Sequence, residues 1–127
     1  MTIGTHIFTL KELIRLLNKL EEKLKEIDKN TFYGVAGDTE NNLWNYIVYA
    51  RNTTDISTDR NGFVDRYVVT IVRENYVPEN TFNLVVEAVE QAGFKVSNKS
   101  AEYLYMRKNA DTIVEICSIY FHKARRR

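Results

Sequence analysis

The sequence predicts an α+β fold, with a mostly antiparallel sheet of about four to six strands and two helices packed on it in the order α-β-β-β-α-β-β. Three observations carry this. A leucine-rich segment near the start repeats its apolar residues at steps of three and four, the period of one helix face. Three later segments are rich in aromatic and β-branched residues, which suit a pleated, half-buried surface. Between them a proline and a glycine bracket a second helical pattern. Runs of strands with helices alongside, rather than strict strand–helix alternation, point to α+β.

The first helix is read from "TLKELIRLLNKLEEKLKEIDKN". Thr9 caps it, and Glu12 three residues later completes a capping box. Leu10, Leu13, Leu17, Leu20, Leu24 and Ile27 fall on one face, widened by Ile14 and Leu16. A helix laid on a sheet fits this stripe. So does a helix that also touches another subunit. A short strand near Thr31 to Ala36 then meets a polar turn through Gly37 and Asp38. "LWNYIVYAR" is the next strand, with Trp44, Tyr46 and Val48 on one face and Leu43, Asn45, Ile47 and Tyr49 on the other.

Asn52 to Gly62 reads as a polar break rich in turn residues. It is longer than the two to five residues of a usual hairpin loop. It is thus the predicted mobile, functional loop, ordering on assembly. "FVDRYVVTIVREN" is a central strand, ended by Pro78, which lacks a ladder donor. The second helix runs from about Pro78 or Asn80 to Ala92, with Phe82, Val85, Val86, Val89 and Ala92 inward and Gly93 as its left-handed cap. Glu102–Lys108 and Thr112–His122 form a hairpin about the turn Asn109–Asp111, and the tail Arg125–Arg127 is solvated.

Length suits a single domain over residues 1–127, and the 44% apolar and 28% charged fractions are ordinary for a globular chain. The net charge of +1, from 18 basic and 17 acidic residues, provides no general drive toward nucleic acid or an acidic membrane. Basic residues beside tyrosines, as at Arg66-Tyr67 and Tyr105 with Arg107-Lys108, are interleaved with acids rather than forming a stripe. A lone cysteine excludes an internal disulfide and fits a reducing compartment. No run is apolar enough for a spanning helix, and the N-terminus lacks a secretory pattern.

The search for chemistry predicts no enzyme and no cofactor. His6 and His122 stand in no metal-binding pattern, Cys117 lies in an apolar strand, and "YGVAG" lacks the rest of a phosphate loop. Carboxylates are the strongest catalytic candidates: Glu74, Glu115 and Asp65, with Lys108, suggest a metal-dependent nuclease. Cross-strand ion pairing is the better reading, with Glu115 against Arg73 or Arg107 according to register. Arg73 and Glu74 are neighbours on a strand and so point to opposite faces. One then pairs within its own domain, and the other reaches solvent or a neighbouring subunit.

"LWNYIVYAR", "FVDRYVVTIVRENYVPE" and "EYLYMRK…TIVEICSIYFHKARRR" together resemble the small head–tail joining and tail-completion proteins, tail terminators among them, of phages and prophages of Gram-positive bacteria. The resemblance implies a short α+β structural protein that assembles by contact alone into a ring, often a hexamer. It also implies neck or tail proteins as partners, assembly in the bacterial cytoplasm and residence in the virion. Tail terminator, head-completion protein and tail-tube-associated protein all stay open. Contact residues expected on this reading are Arg51, Asp55, Asp59, Arg60, Arg73 and Glu74. The alternative is a nucleic-acid-binding or nuclease-like protein of the same mobile element.

Overall fold

The computed structural model describes residues 10–37, 44–56, 62–97 and 100–126, with Leu10 described by its backbone alone. The elements are α1 (Leu10–Ile27), β1 (Thr31–Tyr33), β2 (Tyr46–Ile56), β3 (Gly62–Glu74), α2 (Glu79–Gln91), β4 (Lys95–Val96), β5 (Glu102–Arg107) and β6 (Ile113–Arg126). They form one six-stranded sheet in the order β1-β2-β3-β6-β4, with β5 also pairing β6. All pairs are antiparallel except β1 with β2. The predicted fold class and element order are those observed, with the short β4 as the third strand of the last region.

Strand alternation decides the two faces. Ile47 and Tyr49 of β2, Tyr67, Val69 and Ile71 of β3, and Cys117, Ile119 and Phe121 of β6 are buried on one side. Leu13, Leu20 and Leu24 of α1 and Val85, Ala88 and Val89 of α2 join them in a single cluster. Both helices therefore cover the same face. Tyr67 stacks on Phe121 at 5.3 Å, and Phe94 meets both rings edge-on at 5.4 and 5.1 Å. The opposite face carries a half-buried row, Val48–Thr70–Ser118, and beside it Tyr46–Val72–Ile116, in which the central Val72 is buried.

Asp28 turns the chain from α1 into β1. Its Oδ1 accepts from the Asn30 amide at 2.9 Å and its carbonyl accepts from the Thr31 hydroxyl at 2.6 Å. β1 stops at Tyr33 rather than Ala36, because Gly34 turns out at φ +85 and Val35 is left exposed. Gly93 has φ +104, and a Cβ there would press on Leu16, so the predicted cap is required by both backbone and packing. Two helix expectations need correction or fall elsewhere. Ile14 is 52% exposed and faces solvent. The Thr9 cap and the Leu10 side chain lie outside what is described.

The largest correction concerns the polar break. Asn52 to Ile56 continue β2 and Gly62 begins β3, so only residues 57–61 remain, outside the described residues along with the expected mobility. Pairing runs from Thr53↔Arg66 to Ile56↔Phe63, after a register shift between Arg51 and Thr53 that leaves Asn52 as a bulge. This outer part of β2 is almost wholly exposed. Strands that bury neither face need no apolar alternation, so their composition imitates a loop. In the same way "LWNYIVYAR" starts late: Trp44 is in a turn and Leu43 lies outside the described residues.

The C-terminal tail is the second correction. β6 extends to Arg126 beside the start of β3, and Arg127 lies outside the described residues. Arg125 is an ion-pair partner of Asp65, whose side chain is 0% exposed, and lies over the Phe63 ring at 4.6 Å. The Thr54 hydroxyl donates to the other Asp65 oxygen at 2.8 Å. Close approach at this end depends on Gly62, since a Cβ there would clash with the Arg125 carbonyl.

Removing one partner of a buried pair leaves a charge without compensation, so Arg125→Met is expected to destabilise the protein by about 3 kcal/mol, read as a lower urea midpoint at unchanged slope. An unchanged midpoint would show that the tail is as solvated as composition suggests. Among the described residues the Tyr67 hydroxyl is buried with no hydrogen-bond partner in reach, although Arg51 stands opposite Tyr67 in register and lies near enough to act on its charge. Tyr67→Phe should therefore be neutral or stabilise by about 1 kcal/mol, and a clear loss in thermal melting would reveal a bond to that oxygen.

Candidate assembly surfaces

β5 is the exposed edge of the sheet. All six of its residues are exposed, and four in a row are apolar: Tyr103, Leu104, Tyr105 and Met106, at 47%, 65%, 61% and 49%. Ile113, across the hairpin, is 46% exposed. Isolated exposed apolar residues are ordinary, but a contiguous group on a free strand edge marks an interaction surface or an aggregation hazard.

The hairpin is firmly held. Asn109 Oδ1 accepts from the amides of Asp111 and Thr112, both at 2.9 Å, which forms the predicted turn. The Tyr105 hydroxyl donates to Glu115 Oε2 at 2.7 Å, and Glu115 Oε1 accepts from the Val77 amide at 2.8 Å. Glu115 thus ties β5 to the segment entering α2. It stands opposite Arg73 in register, yet it is a hydrogen-bond acceptor rather than the ion-pair member expected. On the other face the Tyr120 hydroxyl donates to Glu102 at 2.6 Å, and Lys108 pairs with Glu74 at 3.0 Å. Carboxylate acceptors raise the Tyr105 and Tyr120 pKa values, so both phenols remain neutral donors.

The backbone of β5 has a defined outward set. The Lys108 amide donates to the Thr112 carbonyl at 2.9 Å, in the same register as Arg107↔Ile113. Hydrogen-bonded and non-bonded pairs alternate along an antiparallel ladder. The even-numbered residues of β5 therefore bond to β6, while Tyr103, Tyr105 and Arg107 point their amide and carbonyl groups away from the sheet.

At another end, β2, β3 and β6 project together as an arm through Ile56, Gly62 and Arg126. Arg51 and Asp55 are exposed on it, and Asp55 accepts from Arg66 Nε at 2.7 Å. Asp59 and Arg60 lie outside the described residues. Arg73 and Glu74 do take opposite faces. Arg73 is mostly buried, pairing at 2.9 Å with Asp28 after α1, and donates to the Val72 carbonyl. Its partner comes from the helix end, not from another strand. Glu74 is half-buried and occupied by Lys108. The four expected contact residues that are described do not form one patch. Arg51 and Asp55 share the arm, and Arg73 is a strut inside the subunit.

The remaining candidates are engaged elsewhere. Asp65 serves Arg125 and Thr54, and His122 Nδ1 lies 3.0 Å from Ser97 Oγ. Burial, then Arg66 and Lys95, lowers the His122 pKa. His6 lies outside the described residues. Among the described residues no group of histidine, cysteine and carboxylates is arranged to hold a metal, and no helix is long and apolar enough to cross a membrane. Sequence reasoning found β5 as a hairpin strand but missed its exposure. A run apolar on both faces reads as a buried strand, and only the topology reveals that its second neighbour is missing.

No family model matches this chain, and no curated protein does. Among solved structures, a chain in the virion of a native gene transfer agent (GTA) particle is similar with a TM-score of 0.43 and 12% identity, over 92% of this chain and 99% of that chain. A likeness of that size decides neither fold nor function.

Cys117 offers a direct check on the sheet. It is 0% exposed, and burial pushes its thiol pKa up. Alkylation at neutral pH should proceed only at the rate of unfolding. Labelling of the native protein as fast as a free thiol would mean that β5 and its Tyr103 do not stay docked.

Proposed function

We propose that the protein is a structural component of a phage or prophage virion, in the neck or tail-completion region, that forms a ring by subunit contacts and catalyses nothing. The observation that carries the assembly reading is the rigid, contiguous apolar edge at Tyr103–Met106, which marks a protein-contact surface; the ring itself rests on the resemblance and on the arm. A strand held this firmly and left uncovered suits contact with another protein better than binding of a small molecule. The sequence resemblance to tail-completion proteins supports the same reading. So does the commitment of Asp65 and Glu115 to internal bonds and of Glu74 to Lys108, which leaves the nuclease alternative without a convergent set of carboxylates among the described residues.

On this reading the arm supplies contacts around the ring. Arg51 and Asp55 then act mainly on association rate and specificity, since exposed pairs contribute only about 0–1 kcal/mol to folding. Other neck or tail proteins are the partners, and the site of action is the bacterial cytoplasm during assembly and the virion afterwards.

Light scattering and negative-stain microscopy of the full chain should reveal a closed ring. Arg51→Glu with Asp55→Lys should shrink it to smaller species with little change in melting temperature, and more so at low salt, where the reversed charges are unscreened. A monomer that retards duplex DNA at moderate salt would instead favour the nucleic-acid alternative.

A further inference from the structure

We propose that β5 pairs with β5 of a second copy of this chain, antiparallel, about a two-fold axis through Tyr105. The occupant follows from the strand's own chemistry. An antiparallel contact between two identical edges needs an axis perpendicular to the sheet, so that each face continues into the same face of the partner. Residues opposite one another must then share a face, and their outward backbone groups must match.

Among the described residues, only the odd residues of β5 present backbone groups that no other strand takes up. Centring the axis on Tyr105 sets Tyr105 against Tyr105 and Tyr103 against Arg107, so all three outward residues exchange their amide–carbonyl bonds with the other copy. The side chains agree with that register. Leu104 falls opposite Met106, two apolar residues at 65% and 49% exposure. Tyr103 falls opposite Arg107, a ring against a guanidinium. Glu102 falls opposite Lys108, an acid against a base at each end. Centring on Leu104 instead would set Glu102 against Met106 and lose this charge match.

The result is one continuous sheet across two copies, with the exposed apolar edge of each covered by the other. This contact is separate from the proposed ring. A two-fold pairing closes on two copies and builds no ring by itself, so arm variants and β5 variants report on different assemblies.

Cysteine cross-linking of the full chain reads the register directly. Tyr105→Cys should form a disulfide-linked dimer on mild oxidation, because directly opposed residues of a bonded pair lie about 5.5 Å apart at Cα. Leu104→Cys alone should not, whereas a mixture of Leu104→Cys and Met106→Cys should give the mixed dimer. Native Cys117 is buried and provides the uncross-linked baseline. In sedimentation, Tyr105→Pro should weaken dimerisation by at least about tenfold relative to Tyr105→Ala, since both lose the hydroxyl bond to Glu115 but only proline removes the outward amide. A parent chain that sediments as a monomer at every concentration, with no Tyr105→Cys cross-link, overturns the pairing. Cross-linking of Leu104→Cys by itself overturns the register. If arm variants lose the ring while the Tyr105→Cys dimer persists, the pairing stands and only the arm contact is affected.

Discussion

The unbroken pairing of β3 with β6, from Gly62↔Arg126 to Glu74↔Val114, is the constraint on which the other parts depend. A slip of one residue would send Tyr67, Val69 and Ile71 to the far face and strip the cluster beneath both helices. The same register lays Phe121 against Tyr67 and sets Arg125 diagonal to Asp65. β6 then offers its other edge to two short strands in succession. β4 takes the part near Phe121 and His122, and β5 takes Ile113 to Ser118. The exposed edge is a consequence: β6 reaches far enough to take both β4 and β5 on this edge, whereas among the described residues no further strand lies beside β5.

Buried polar groups at the two ends of β3 reinforce that register. Asp65, with Arg125 and Thr54, locks the arm end, and Arg73 with Asp28 joins the other end to the close of α1. Each is worth little as net stabilisation, but breaking either would strand a desolvated charge. They resist alternative pairings more than they add stability. Surface pairs such as Asp55–Arg66 are weaker contributors and leave the arm free to be read by a partner.

The assembly reading and the edge-strand pairing use two different surfaces. On the arm, charge and projection matter, and little apolar area is exposed apart from Ile56. On β5 the backbone itself supplies the complementarity and the side chains set the register. A firm hairpin lowers the entropy lost on association, because the Asn109 turn and the Glu115 bonds order it beforehand.

Local signals were enough for the helices, the order of elements and much of the inner face. Leucine spacing, the Pro78 and Gly93 boundaries and the alternation of Tyr67, Val69 and Ile71 are properties of short segments that keep their meaning in any context. The loop reading of Asn52–Ile56 and Gly62 and the solvated reading of Arg125 failed because their signals are not periodic. A strand exposed on both faces, or a charge buried by a partner 60 residues away, leaves no periodic trace. β5 shows the reverse case, since its apolar run promised burial that its place at the edge withholds. The sequence by itself determined which segments are helix or strand and which side chains seek the core. Only the tertiary structure decided which strand has a neighbour, because burial depends on what lies across the sheet and not on what lies along the chain.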